Sequence, residues 1–287
     1  GITAAIYAKR ANLNVAVVEK EYLGTGQIAE SSRVDNYPGI PGIDGYSLGE
    51  KFREHAESLG VEFTEAQVLS LGQKDGIWII GCDEDITLES KAVIYATGCK
   101  NRPLGVPGEE KYYGRGLSFC AVCDGAFYKG KRVAVIGGGD TALDDAMYLS
   151  DICEKVYLVH RREFFRGSAS TLDKLKQKES VEIIVNVRVE EITGDKKIDG
   201  IILDNKTKLN ISGLFAAVGM IPQTELLKEF GVLDESNYVK ASEDTKTTVN
   251  GLFAAGDVRT KQLRQVVTAA ADGANAIYSV MEYLRNI

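Results

Sequence analysis

Cysteine, histidine, proline and tryptophan are all scarce in this 287-residue sequence, which holds five, two, five and one of them. An odd and small cysteine count excludes the even-numbered disulfide framework that holds small secreted domains together. A basic excess is also missing. The net charge of -7 argues against a protein whose main work is nucleic-acid binding, which needs a basic face to neutralise phosphates. No apolar run approaches the roughly 20 residues of a membrane helix, and no charged-then-apolar leader opens the chain, so a soluble cytoplasmic protein is expected. What remains is ordinary: 44% hydrophobic and 26% charged residues, in a chain long enough for two domains.

The opening run GITAAIYAKRANLNVAVVEK begins with a glycine ahead of a helix and continues into an apolar strand ending at Glu19. A dinucleotide fold starts with a strand, a G-x-G-x-x-G turn, a helix and a second strand, with an acid about 20 residues on to hold ribose hydroxyls. Gly1 fits the last glycine and Glu19 the acid. On that reading the first strand and phosphate loop, roughly ten residues, precede the sequence. The alternative is an ordinary glycine before an ordinary helix.

A second such unit lies further along. Residues 132–136 read as a short apolar strand, Gly137 to Ala142 follow as G-x-G-x-x-A, and a helical run to 148 leads to a second strand at 156–159. Gly137 allows the tight turn, Gly139 lets backbone approach a pyrophosphate, and Ala142 lets the helix lie against the strand. The helix N-terminus, with Asp140 and Thr141 in its first turn, then faces the phosphates. Where an NAD site carries an acid, this sequence has His160, Arg161, Arg162 and then Arg166. Guanidinium forks suit a phosphate dianion, which predicts the 2′-phosphate of NADP; a solvated charged turn is the alternative. Glu19, by contrast, suits the unphosphorylated ribose of FAD.

Segments 93–98, 214–219 and 252–257 each read as a buried strand closing on glycine. The simplest order has one nucleotide domain at 1–103 and 221–287, interrupted by a second at 104–220, with Arg102-Pro103 and Ile221-Pro222 as the crossings. Residues 264–285 read as a helix with Val266, Val267, Ala270, Ala274, Ile277 and Met281 on its packed side, its positive end available to a cofactor.

Within SFCAVCDGAFY, Cys120 and Cys123 stand at a spacing that lets two sulfurs bridge and lowers one thiol's pKa. Asp124 can exchange a proton with whichever sulfur leaves. The competing readings are a zinc half-site, for which the other cysteines with His55 and His160 offer no second pair, and a turn acid holding backbone amides.

These pieces resemble the low-molecular-weight thioredoxin reductases from Gly1 to the C-terminal helix. The likeness is carried by Gly26-Gln27, Asn36-Tyr37-Pro38-Gly39, Ala96-Thr97-Gly98, the Cys120 to Asp124 run, the triple glycine, His160-Arg161-Arg162 with Arg166, Gly251 to Val258, and Arg264-Gln265-Val266. The resemblance implies an α/β fold of two Rossmann-like nucleotide-binding domains, three-layer ββα, in which an NADPH domain carrying the CxxC is inserted into a discontinuous FAD domain. It implies a homodimer. FAD contacts are expected from Gly1, Glu19, Gly26, Gln27, Asn36, Thr97, Gly98, Gly256, Asp257, Arg264, Gln265 and Val266. NADPH contacts are expected from Gly137, Gly139, Asp140, Thr141, Ala142, His160, Arg161, Arg162 and Arg166. Electrons are expected to pass from NADPH to FAD, to the Cys120–Cys123 disulfide and on to thioredoxin, with Cys123 facing the flavin and Cys120 attacking the partner. A flavin-dependent dithiol oxidase, or a reductase of another thioredoxin-like or peroxiredoxin partner, is the alternative on the same scaffold. Arg115, Phe127 and Tyr128 are candidates to grip a protein partner, unless the aromatics pack locally. Because one flavin must serve both donor and dithiol, the inserted domain is expected to swivel about its two crossings. The sequence departs from the family at Val122, where threonine is usual, at Gly167, where alanine is common, and in the absent first glycines.

Overall fold

The computed structural model describes residues 1–22, 26–31 and 33–287. The chain divides into two compact units, Gly1–Lys100 with Ile221–Ile287, and Asn101–Met220. The first crossing therefore falls three residues ahead of the 103/104 position read from the sequence, and the second at 220/221.

The inserted unit is built on a five-stranded parallel sheet. Its strands run, edge to edge, Val181–Val185, Lys155–His160, Arg132–Gly137, Gly213–Ala217 and Leu117–Ser118. Side chains of a strand alternate between faces, so the uninterrupted apolar run Val133-Ala134-Val135-Ile136 must be covered on both. Val133 and Val135, with Val156, Leu158 and Phe215, pack beneath the helix Asp140–Ser150 through its Ala142, Leu143, Ala146 and Leu149. Ala134 and Ile136, with Val159, Leu214 and Ala216, face Ile192, Ile201, Leu203 and Leu209. Those four come from the antiparallel sheet Val189–Thr193, Gly200–Leu203 and Lys208–Asn210. Helix, parallel sheet and antiparallel sheet make the three layers.

The discontinuous unit joins distant stretches of chain. Val93–Tyr95 pairs in parallel with Leu252–Ala254, and Ala16–Glu19 with Glu62–Glu65. An antiparallel sheet of Val68–Lys74, Ile77–Cys82 and Thr87–Ser90 carries the buried Trp78 into a core with Tyr95, Leu227, Val239 and Leu252. The three glycine-closed strands share one device: Gly98, Gly219 and Gly256 turn the chain at φ of +68°, +106° and +81°, a region side chains disfavour.

The C-terminal helix, Val266–Leu284, buries a somewhat different face from the expected one. Ile277 is buried as expected and Ala270, Ala274 and Met281 are half-buried, but Val267 is 40% exposed and the closest packing is at Gly273, Ala276 and Val280. The reason is the neighbouring helix Ile2–Arg10. A Cβ on Gly273 would lie 2.8 Å from the Ala4 amide nitrogen, so the two helices meet backbone to backbone and small residues outrank bulky ones at the seam.

Candidate active site

Cys120 and Cys123 form a disulfide with Cα atoms 5.3 Å apart. Cys120 closes the stretch after the edge strand Leu117–Ser118 and caps the short helix Ala121–Asp124, its Sγ accepting the Cys123 amide at 3.2 Å. Both cysteines and Asp124 are half-buried, and Val122 between them is 60% exposed, so the bridge is open to a partner on one side. The other three thiols are different in kind. Cys82, Cys99 and Cys153 are buried, and burial first of all pushes the latter two up to about 11, which leaves them protonated and unreactive at neutral pH.

Asp124 takes the Ser118 hydroxyl on Oδ2 at 2.6 Å, and the same hydroxyl oxygen accepts the Cys120 amide at 3.1 Å. Ser118 is buried and links the acid to the first cysteine. Sequence reasoning missed it: a serine six residues from an aspartate carries no signal of its own. Asp124 is not a turn acid here, since its carboxylate caps no backbone amide of the turn it begins. Of the partner-binding candidates, Arg115 and Phe127 are exposed, whereas Tyr128 is half-buried edge-on against Phe215, 5.3 Å between ring centres.

The glycine turn leads from the strand Arg132–Gly137 into the helix Asp140–Ser150, whose Gly139 cap supplies no side chain, leaving its first amides open. A Cβ on Gly137 would meet Ala217 O at 2.3 Å and Ala142 Cβ at 2.7 Å, so this glycine and the fully buried Ala142 set the close approach of helix and strand. A Cβ on Gly139 would meet nothing within 4 Å, so on that side its backbone is open to a ligand. Thr141 is exposed on the first turn. Arg161, Arg162 and Arg166 are exposed and form no ion pair among the described residues, so three guanidiniums stand available. This donor set fits a diphosphate and a further phosphate.

His160 departs from its neighbours. It is buried, its Nε2 lies 3.2 Å from Phe164 O, and its ring rests against Phe165. A Cβ on Gly138 would sit 2.2 Å from its Cε1. Burial first, then the neighbouring arginines, lowers its pKa, so the imidazole stays neutral at physiological pH. It supports the turn from beneath instead of pointing a cation at a phosphate.

In the discontinuous unit, Gly1 stands at the N-terminus of the first helix, with Glu19 at the end of the strand Ala16–Glu19. Gly26 and Gln27 open the turn Gly26–Glu30. Asn36 donates to Gln265 Oε1 at 2.7 Å, although 229 positions separate them, and Gln265 caps the helix that begins at Val266. Thr97 donates to Gln223 O at 2.6 Å, and Gln223 N to Gly98 O at 3.0 Å, which ties the glycine-closed strand end to the returning chain. Asp257 follows Gly256. Its Oδ1 is buried without a hydrogen-bond partner, and burial, partly offset by Lys261 and Arg264, raises its pKa. A buried, unanswered carboxylate oxygen is costly unless a ligand hydroxyl meets it, so the residue fits the polyol chain of a flavin nucleotide. Arg264 packs over Tyr238 at 4.2 Å and donates to Asp257 O at 3.2 Å.

Sequence reasoning also missed the anchor of this turn. Asp272, 4% exposed, accepts two bonds from Arg259 at 2.6 and 2.8 Å, one from Lys261 at 2.8 Å and the Gly256 amide at 2.8 Å.

Comparison with known proteins shows the family to which the chain belongs. Residues 1–273 match the pyridine nucleotide-disulphide oxidoreductase family. The chain is 37% identical to the thioredoxin reductase of Bacillus subtilis (strain 168) over 295 residues, covering 100% of this chain and 92% of that one. It is 38% identical over 292 residues to a 34.2 kDa protein in the rubredoxin operon of Clostridium pasteurianum, covering 99% and 94%. The crystal structure of thioredoxin reductase from Streptococcus pyogenes MGAS5005 matches with a TM-score of 0.92 at 38% identity, covering 100% and 95%. Over its whole length, then, the chain belongs to the pyridine nucleotide-disulphide oxidoreductases and, within them, to the thioredoxin reductases, NADPH-dependent flavoproteins that use FAD.

Proposed function

We propose that the enzyme reduces thioredoxin through the Cys120–Cys123 pair, with the inserted unit holding NADPH and the discontinuous unit holding FAD. The single observation that carries this reading is the half-exposed disulfide beside an oriented carboxylate, in a chain whose other thiols are buried. FAD supplies the two-electron relay between the nicotinamide and the disulfide. The residues of the chain do the rest. Opening the disulfide takes up two electrons, and Asp124, held by Ser118, is the group placed to hand one proton to a leaving sulfur, which leaves the other as the thiolate. The Cys120 thiolate then attacks the partner disulfide, forming a mixed disulfide and releasing one partner thiol. Cys123 attacks Cys120 in turn, which frees the partner as a dithiol and restores the starting bridge. Transfer in this direction needs a dithiol poised near or below the roughly -270 mV of thioredoxin.

In the NADPH unit, Gly137, Gly139 and Ala142 shape the turn, the first amides of the Asp140 helix receive the diphosphate, and the three arginines receive the 2′-phosphate. In the FAD unit, Asp257 takes flavin hydroxyls, while Asn36, Gln265 and the start of the helix Val266–Leu284 frame the rest. The resemblance supports a cytoplasmic homodimer; among the described residues no helix is long and apolar enough to cross a membrane.

Trapping tests the order of attack. With Cys123 replaced by serine, oxidised thioredoxin should accumulate as a mixed disulfide on Cys120, visible on a non-reducing gel; with Cys120→Ser it should not. Trapping in the second variant only would reverse the two roles, and trapping in neither would remove thioredoxin as the partner.

A further inference from the structure

The arginine loop and the glycine turn are fastened together by hydrogen bonds between the two motifs. Arg166 N donates to Gly138 O at 2.7 Å, Gly167 N to the same oxygen at 3.2 Å, and Ser168 N to Asp140 Oδ1 at 2.7 Å. Gly167 lies so close that a Cβ there would be 2.8 Å from the Asp140 amide nitrogen. His160 fills the space under Gly138. Of these hydrogen bonds only one comes from a side chain: the carboxylate of Asp140 spans 28 positions to hold the first residue of the turn beyond the loop.

A carboxylate in the first turn complements the helix dipole, which is its ordinary role, but here that role comes at a cost. Asp140 opens the helix whose N-terminus faces a diphosphate, and a negative charge there opposes anion binding. The geometry points to Asp140 as a positioning residue for nucleotide choice, latching the loop so that Arg161, Arg162 and Arg166 stand at a fixed distance from the diphosphate turn. This rests on the reading that those arginines take the 2′-phosphate. The latch is a hydrogen bond, and its effect has a sign that simple electrostatics reverses. Removing a carboxylate near phosphates should by Coulomb's law tighten binding; removing a latch should loosen it, and should loosen the 2′-phosphate ligand more than its unphosphorylated counterpart.

The holoenzyme is titrated by calorimetry with adenosine 2′,5′-bisphosphate and with 5′-AMP, and the KM ratio of NADH to NADPH is measured beside it. Asp140→Ala should lower both preferences by at least about threefold, the low end for losing one ordinary hydrogen bond, taken here because the setting is exposed. Asp140→Asn keeps an acceptor at the same place and should retain the preference. Ser168→Pro deletes the donor, at a residue whose φ of -52° suits proline, and with it the hydroxyl that caps the helix Ala169–Lys176; it should reproduce the Asp140→Ala loss, whereas Ser168→Ala, which loses the cap alone, should not. An unaltered or increased preference in Asp140→Ala, or an equal loss in Asp140→Asn, overturns the latch. An Arg161→Ala/Arg162→Ala double variant separates the two ideas. If it abolishes the preference while Asp140→Ala does not, the latch alone is wrong; if it leaves the preference intact, the 2′-phosphate reading is wrong with it.

Discussion

Replacing Asp272 by asparagine should strongly destabilise the FAD unit. The carboxylate is 4% exposed and answers Arg259 twice, Lys261 once and the Gly256 amide once, all between 2.6 and 2.8 Å. Asparagine preserves the shape but leaves two buried cations facing a neutral amide. Breaking one side of such a buried pair costs about 3–5 kcal/mol, chiefly because the remaining charges lose their compensation. For a unit in the 150–250 residue range each kcal/mol moves Tm by about 2–4 °C, so the expected fall is about 6–20 °C. Burial alone would raise the Asp272 pKa, but the bonds from Arg259, Lys261 and Gly256 outweigh it and hold it below the ordinary value. A lowered native pKa means stability present above the unfolded value of about 3.9 and lost as pH falls through it. The loss runs from that unfolded value down through the lower folded one, so scanning calorimetry at pH 7 and at about pH 2 measures both effects, and the two proteins should differ less at the acid end. Because Gly256 precedes Asp257, the variant should also release FAD more readily, read as free flavin fluorescence after dilution. A Tm within about 2 °C of the parent at pH 7 would refute the reasoning, since it lies below the smallest shift that a 1 kcal/mol loss produces at this size.

Other expectations follow from the same geometry. Ser118→Ala strips a hydrogen bond from the Asp124 carboxylate and the Cys120 amide, and steady-state thioredoxin reduction should slow by about tenfold, the equivalent of one charged hydrogen bond. Gly138→Ala drives a methyl into the His160 ring, and KM for NADPH should rise about tenfold while thermal release of FAD stays at the parental temperature. Asp145, pushed up to about 7 by burial and then by Asp144, carries its proton further into the neutral range when folded than when unfolded. Stability should therefore decline as pH rises from about 4 to 7 on its account, and Asp145→Asn should be more stable than the parent at pH 8 but not at pH 4 in urea titrations. Gly273→Ala places a Cβ against the Ala4 backbone and should cost about 1–3 kcal/mol in the same assay.

The fold was legible where chemistry repeats locally. Three strands closing on glycine, an apolar run with G-x-G-x-x-A behind it, and a C-x-x-C are patterns of adjacent residues, and each became the element the pattern called for. What escaped depends on partners brought together by folding. Asn36 and Gln265 meet from 229 positions apart, and Asp272 answers residues 11, 13 and 16 positions before it. Ser118 hides for the same reason. His160 shows the opposite failure: its neighbours are three arginines, so adjacency suggested a phosphate ligand, while the strand's alternation turned its ring inward under Gly138. The face of the C-terminal helix was displaced because hydrophobic periodicity weights bulky side chains, and the seam with the first helix is set by a glycine.

The central claim is a relay from NADPH to thioredoxin through Cys120 and Cys123. It is tested most directly by adding nucleotide anaerobically to the FAD-loaded full-length protein, following the flavin absorbance, and then adding oxidised thioredoxin. The account predicts bleaching by NADPH and far less by NADH, with colour returning on addition of thioredoxin in the parent but not in Cys120→Ser. Equal bleaching by NADH would contradict the arginine site, and colour that returns only with oxygen would mark a dithiol oxidase in place of a thioredoxin reductase.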